Sequence, residues 1–121
     1  MFFPPGAYYV GDLCYVLDYH SILSQRLFAA WEEANWQGVV ELRYQGHPVW
    51  DAWTAYGDGE YTDNEGRAYG VDSGTIGVVP LAVCDAAKIA TLNGLGHVLT
   101  FTQGYEPRWD GGVFTFGHTI I

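Results

Sequence analysis

Tyr56-Gly57-Asp58-Gly59-Glu60-Tyr61-Thr62-Asp63-Asn64-Glu65-Gly66-Arg67 runs through Ala68 into Tyr69-Gly70-Val71-Asp72-Ser73-Gly74-Thr75-Ile76-Gly77-Val78-Val79-Pro80. Two patterns meet in this stretch. Asp63-Asn64-Glu65-Gly66 is a turn sequence, because Asp and Asn side chains bond their own backbone and Gly accepts a positive φ, so Glu60–Thr62 is predicted to pair with Arg67–Val71. Thr75–Val83 is apolar at nearly every position, which predicts a strand covered on both faces, with Pro80 at an edge or bulge where no ladder donor is needed.

The same punctuation extends in both directions. Val39–Tyr44 places Val40, Leu42 and Tyr44 on one side and Glu41 and Arg43 on the other, and Gln45-Gly46 turns it into Val49–Ala55. Lys88–Leu92, His97–Thr102 and Val113–Phe116 read as further strands, and Tyr8–Val10 with Leu13–Leu17 as a strand or bulged pair broken at Gly11-Asp12. One segment has the helical period instead: Ile22, Leu23, Leu27, Ala30, Trp31 and Ala34 share a face, with Asp18 or Ser21 as cap and Asn35 and Gly38 at the end. The expectation is a mainly β (α+β) domain of about eight strands, forming a bent antiparallel sheet or incomplete β-barrel with one N-terminal amphipathic helix.

A chain of 121 residues suits a single domain spanning 1–121. Five Lys+Arg against fourteen Asp+Glu give a formal charge of −9, which repels phosphates and anionic lipid, so neither nucleic acid nor membrane is an expected partner. Ile76–Cys84 is far shorter than the ~20 residues of a membrane span, and the start has no cationic region followed by a long apolar one. Cys14 and Cys84 sit among apolar neighbours, as reduced core thiols do, although a single disulfide between them is not ruled out by sequence. A cytoplasmic protein is expected.

Three chemistries can be tested on the residues. Val71-Asp72-Ser73-Gly74-Thr75 resembles the hydrophobic-Asp-Ser/Thr-Gly-Ser/Thr signature of aspartic proteases, in which two such Asp share a proton; at this length the resemblance implies a homodimer with Asp72 and Ser73 at its centre. The match covers five residues, and no later hydrophobic-hydrophobic-Gly element accompanies it. The alternative is that Asp72 and Ser73 bond a turn while Gly74 relieves backbone strain. Asp58, Glu60, Asp63 and Glu65 offer oxygen ligands for Ca²⁺, yet the EF-hand template fails because Thr62, Asp63 and Tyr69 occupy its fifth, sixth and twelfth positions. His20, His47, His97 and His118 lie too far apart for a zinc pattern, and a Cys–His nucleophile built on Cys14 or Cys84 would have to be assembled in space. No cofactor is expected.

Aromatic residues point to recognition. Trp36, Trp50, Trp53 and Trp109 are candidates for a groove or partner face, and beside the acidic loop they define an expected binding surface of Trp50, Trp53, Tyr56, Asp58, Glu60, Tyr61 and Trp109. Tyr8–Val16 and Gly70–Gly77 resemble recurring segments of small proteins from bacteria and their phages that carry no assigned activity. That resemblance covers about a quarter of the chain, implies an accessory intracellular role and supplies no catalytic residues. The sequence therefore favours a non-enzymatic acidic domain that binds a protein or small ligand, with a small Asp72 hydrolase and a Ca²⁺-dependent structural module as alternatives.

Overall fold

The computed structural model describes residues 1–121. Its strands are β1 Gly6–Gly11, β2 Val39–Tyr44, β3 His47–Trp53, β4 Gly59–Thr62, β5 Ala68–Val71, β6 Thr75–Pro80, β7 His97–Phe101, β8 Arg108–Asp110, β9 Val113–Phe116 and β10 Thr119–Ile120. Helix α1 spans Ile22–Glu33 and a short α2 spans Ala86–Ala90. The protein is mainly β and its pairings are antiparallel, in a five-stranded sheet ordered β2-β3-β6-β1-β7 with separate sheets β10-β9-β8 and β4-β5. None of these sheets closes into a barrel.

Alternation along the strands of the large sheet sorts two cores. Tyr8 and Val10, Trp50 and Ala52, and Ile76 and Val78 face the two small sheets and meet Tyr69, Val71, Phe101, Phe114 and Phe116. Tyr9, Val49 and Val79 face the other way, onto Leu23, Leu27 and Trp31 of α1. Strand β6 is central and clothed on both sides, as its unbroken apolar run predicts; Pro80 is its last residue, paired with Tyr8 beyond the end of the β3 ladder. The β4–β5 hairpin is also as expected, with Tyr61 opposite Tyr69.

Three expectations need correction. Lys88–Leu92 is not a strand: Asp85 accepts from the amides of Ala87 and Lys88 and starts α2, so there are two helices rather than one. Leu13–Tyr15 is a 3₁₀ turn, because the Asp12 side chain captures the Cys14 amide and ends β1 at Gly11. The short strands β8 and β10 were not anticipated; both pair with β9 across tight turns.

Two local devices position the site described next. Asp51, Gly77 and Gly11 stand side by side on adjacent strands, on the face toward α1. A Cβ at Gly77 would come 2.6 Å from the Trp50 carbonyl and 2.8 Å from Leu13 Cδ1, so glycine there is what lets Leu13 lie against the sheet beside Asp51. The second device ends α1. Asn35 and Trp36 both take left-handed backbone, φ 56° and 57°, and the Trp36 amide donates to the Trp31 carbonyl at 2.8 Å. This turn folds the Trp36 indole back against the helix it follows.

Candidate functional site

Between α1 and the sheet lies a cavity of about 270 Å³. Asp51, Thr75, Leu13 and Trp31 form its buried end, while Tyr19, 83% exposed, Phe28, 56% exposed, and the exposed Cys14 stand at its mouth with Lys88. Its aromatic wall is braced internally. Trp31 and Trp36 have parallel rings 6.3 Å apart, Phe28 meets Trp36 edge-on at 5.0 Å, and Trp53 tilts against Trp31 at 5.6 Å. Trp53 is fixed further by donating its indole N–H to the Trp36 carbonyl at 2.7 Å. Strained left-handed backbone at a bulky residue that lines a cavity is the kind of local strain found at binding sites.

A polar chain runs along the buried end. Trp31 Nε1 donates to Asp51 Oδ2 at 3.1 Å, and Thr75 Oγ1 lies 3.0 Å from the same oxygen. Thr75 Oγ1 is 3.2 Å from Ser73 Oγ, which lies 2.7 Å from Asp12 Oδ1. Asp12 is fully buried and also accepts the amides of Cys14, Asp72 and Ser73, so all of its bonding directions are used. Three gaps therefore separate the Asp51 and Asp12 carboxyls, while the two hydroxyls bring only two protons. Thr75 gives its proton to Asp51 and Ser73 gives its own to Asp12, so each carboxyl is served by one hydroxyl.

Burial, reinforced by the Asp12 charge, pushes the Asp51 carboxyl up to about 7 against the opposing bonds from Trp31 and Thr75. Its other oxygen, Oδ1, is buried with no hydrogen-bond partner. A buried acceptor left unmatched costs about 1–3 kcal/mol, so the fold carries an unmet demand for a donor next to the cavity.

The residues singled out from sequence distribute differently. Trp53 lines the cavity, and Ser73 contributes to the polar chain. Trp50, expected on a surface, belongs to the opposite core at 3% exposure, because alternation turns it away from Asp51 toward Phe114 and Phe116. Tyr61 and Trp109 pack on that same far side, Tyr61 donating to the Gly57 carbonyl and Trp109 to the Trp53 carbonyl, each at 2.7 Å. Tyr56, Asp58 and Glu60 lie exposed around the tip of that loop.

Asp72 points outward and accepts the Tyr15 hydroxyl at 2.6 Å, while its amide serves Asp12. Of the acids on the hairpin, Asp63 and Glu65 are spent internally, while Asp58 and Glu60 stay exposed. Asp63 accepts from Tyr69, from the Arg67 guanidinium and from the amides of Glu65 and Arg67, and Glu65 pairs with Arg67. Burial pushes Asp63 up, but those bonds prevail and hold it at about 2. No group of three or more His, Cys, Asp or Glu residues is arranged to hold a metal ion. Both cysteines are free thiols, and Cys14 reaches the surface rather than the core. Burial raises both, Cys84 to about 12, which is the opposite of the depressed value of an activated thiolate.

Sequence reasoning passed over Asp51, Asp12, Trp31 and Thr75 as site residues. The available signal was an acid in each of two apolar strand contexts, Val49-Trp50-Asp51-Ala52-Trp53 and Val10-Gly11-Asp12-Leu13. Compared with family models, curated proteins and solved structures, the chain matches none of them. No helix is long and apolar enough to cross a membrane.

Proposed function

We propose that the protein is a non-enzymatic binding module whose small ligand enters the cavity beneath α1. One observation carries the reading: an aromatic-walled cavity of about 270 Å³ ends on a buried carboxyl group that has an unmatched oxygen. Its size is close to the lower end of small-molecule sites, ~300–1,000 Å³, and a mostly apolar lining with a few converging polar groups is their usual chemistry. The two free thiols suit the reducing cytoplasm in which we place it. Neither the Asp72 hydrolase nor the Ca²⁺ module has an observation in its favour, since the Asp72 carboxylate serves Tyr15 and the hairpin acids serve Arg67 and Tyr69.

The test is NMR of the indole N–H signals during titration with a mixture of small aromatic fragments. Binding in the cavity shifts Trp31, Trp36 and Trp53 while leaving Trp50 and Trp109 in place. Cys14→Trp, which fills the mouth from an exposed position, abolishes those shifts. Shifts confined to Trp109, or unchanged in Cys14→Trp, would sink the assignment.

A further inference from the structure

We propose that the ligand of this cavity is a small organic cation, a protonated amine whose N–H is donated to Asp51 and whose alkyl or aryl body lies against the Trp31, Trp36 and Trp53 rings. The inference rests on the binding reading above and specifies its chemistry. Aromatic faces attract cations through their ring quadrupoles, and the attraction grows when the cation leaves water. A protonated amine also supplies the one thing the buried end lacks, a donor for the unmatched Asp51 oxygen.

Charge separates this ligand from the alternatives. The groups that face Asp51 or the cavity are Asp12 just after β1, Cys14 and Tyr19 on the segment leading to α1, and Lys88 on α2; β6 contributes only Thr75, the loop before it Ser73, and α1 no charged group. Asp12, joined by Asp51 once it ionises, outweighs the single ammonium of Lys88, which stands at the rim, and the whole chain carries −9. An anion would be repelled by both the local and the overall field. A neutral ligand would leave Asp51 as burial leaves it in the protein alone, holding its proton.

Binding is then an exchange. The amine enters as its ammonium ion, Asp51 releases its proton to solvent, and the carboxylate so formed pairs with the ammonium. No bond other than O–H is broken and charge balances. Because only the ionised form of Asp51 is competent, apparent affinity scales with its fraction. With the carboxyl at about 7, that fraction rises about ninety-fold between pH 5 and pH 8.

Three probes of matched shape decide the matter: benzylammonium, benzyl alcohol and benzoate, titrated at pH 5 and pH 8 by calorimetry in buffers of differing ionisation enthalpy and by the same indole signals. The expected result is that benzylammonium binds best and tens of times tighter at pH 8 than at pH 5. It should also release close to one proton on binding at pH 6, and Asp51→Asn should lose the preference for it while still binding benzyl alcohol. Equal binding of benzylammonium and benzyl alcohol at both pH values would overturn the cation inference and leave the cavity reading standing. Tightest binding of benzoate would overturn it in favour of Lys88. If no probe moves any cavity indole, both the inference and the binding reading fail.

Discussion

Replacing Asp51 with Asn should turn a pH-sensitive protein into one that is nearly indifferent to pH between 5 and 8. In the folded chain burial holds the Asp51 carboxyl at about 7, against an ordinary 3.8. A raised carboxyl keeps in the folded state a proton that the unfolded chain has already lost, so stability is greatest below the unfolded value and falls as pH rises toward the folded one. Each unit corresponds to about 1.4 kcal/mol, which gives about 4 kcal/mol over the whole window and about 2.5 kcal/mol between pH 5 and pH 8. Asn cannot ionise, so this slope disappears. It also leaves a buried amide N–H where Oδ1 stands, at about 1–3 kcal/mol. The parent has given up about 1.7 kcal/mol at pH 5 and about 4.3 kcal/mol at pH 8, so the variant lies within about 1 kcal/mol of it at pH 5 and is more stable by about 1–3 kcal/mol at pH 8. Urea unfolding followed by far-ultraviolet circular dichroism resolves this, because 2.5 kcal/mol moves a midpoint by about 1 M or more at ordinary slopes. A midpoint offset between variant and parent that is the same at pH 5 and pH 8 would refute the reasoning, since Asp51 would then hold no proton that folding retains.

The hairpin acid behaves in the opposite sense. Asp63 is held down at about 2, so its contribution of about 2 kcal/mol is complete above pH 4 and is lost as pH falls through 2; Asp63→Asn should cost about that much at pH 7 and roughly half as much at pH 3, measured by urea midpoints. The two faces of the large sheet are separated by a pair of tryptophans. Trp50→Ala empties a core position and should cost about 3–5 kcal/mol, whereas Trp36→Ala, at 43% exposure, should cost about 1 kcal/mol while weakening fragment binding in the cavity. Comparable losses of stability from both would mean that Trp36 is core.

What could be read from the sequence follows the range of the forces involved. The β4–β5 hairpin and α1 are specified within a few residues of themselves, by Asp63 bonding its own turn amides and by Leu23, Leu27 and Trp31 recurring on one helical face, and both were legible. Lys88–Leu92 was misread because Ile89 and Leu92 look like strand residues unless Asp85 is recognised as a cap. Leu13–Leu17 was misread because β-propensity lost to a single side chain, Asp12, which bonds the Cys14 amide. The site was less legible still. Asp51 meets Trp31 across 20 residues and Thr75 across 24, and Asp12 meets Ser73 across 61, so the constellation exists only once β3, β6 and β1 are adjacent. Trp50 was placed on a surface because aromatic content says how much area must be covered and only register says which face covers it.

Asp12 and Asp51 are both buried carboxyls on the helix-facing side of one sheet, yet they do different things for the fold. Asp12 ends a strand, caps a 3₁₀ turn and clamps the Asp72–Ser73 loop, so each of its oxygens replaces water with backbone or hydroxyl donors. A buried charge satisfied this fully holds structure together. Asp51 lies in the middle of a strand already tied by its ladder to Val40 and Gly77, closes no turn and keeps one oxygen unmatched. A Val at that position would carry no ionisable group, but it would leave the buried Trp31 indole N–H and Thr75 hydroxyl without the acceptor they now share. One oxygen of the carboxyl thus ties α1 and β6 to β3, while the other takes no part in holding the fold. Its neighbours are those of a ligand site: a cavity, an aromatic wall braced by a strained turn, and a pair of hydroxyls that link it to Asp12. The acid with one oxygen left unused by the fold is the one best placed to release its proton when a cation arrives.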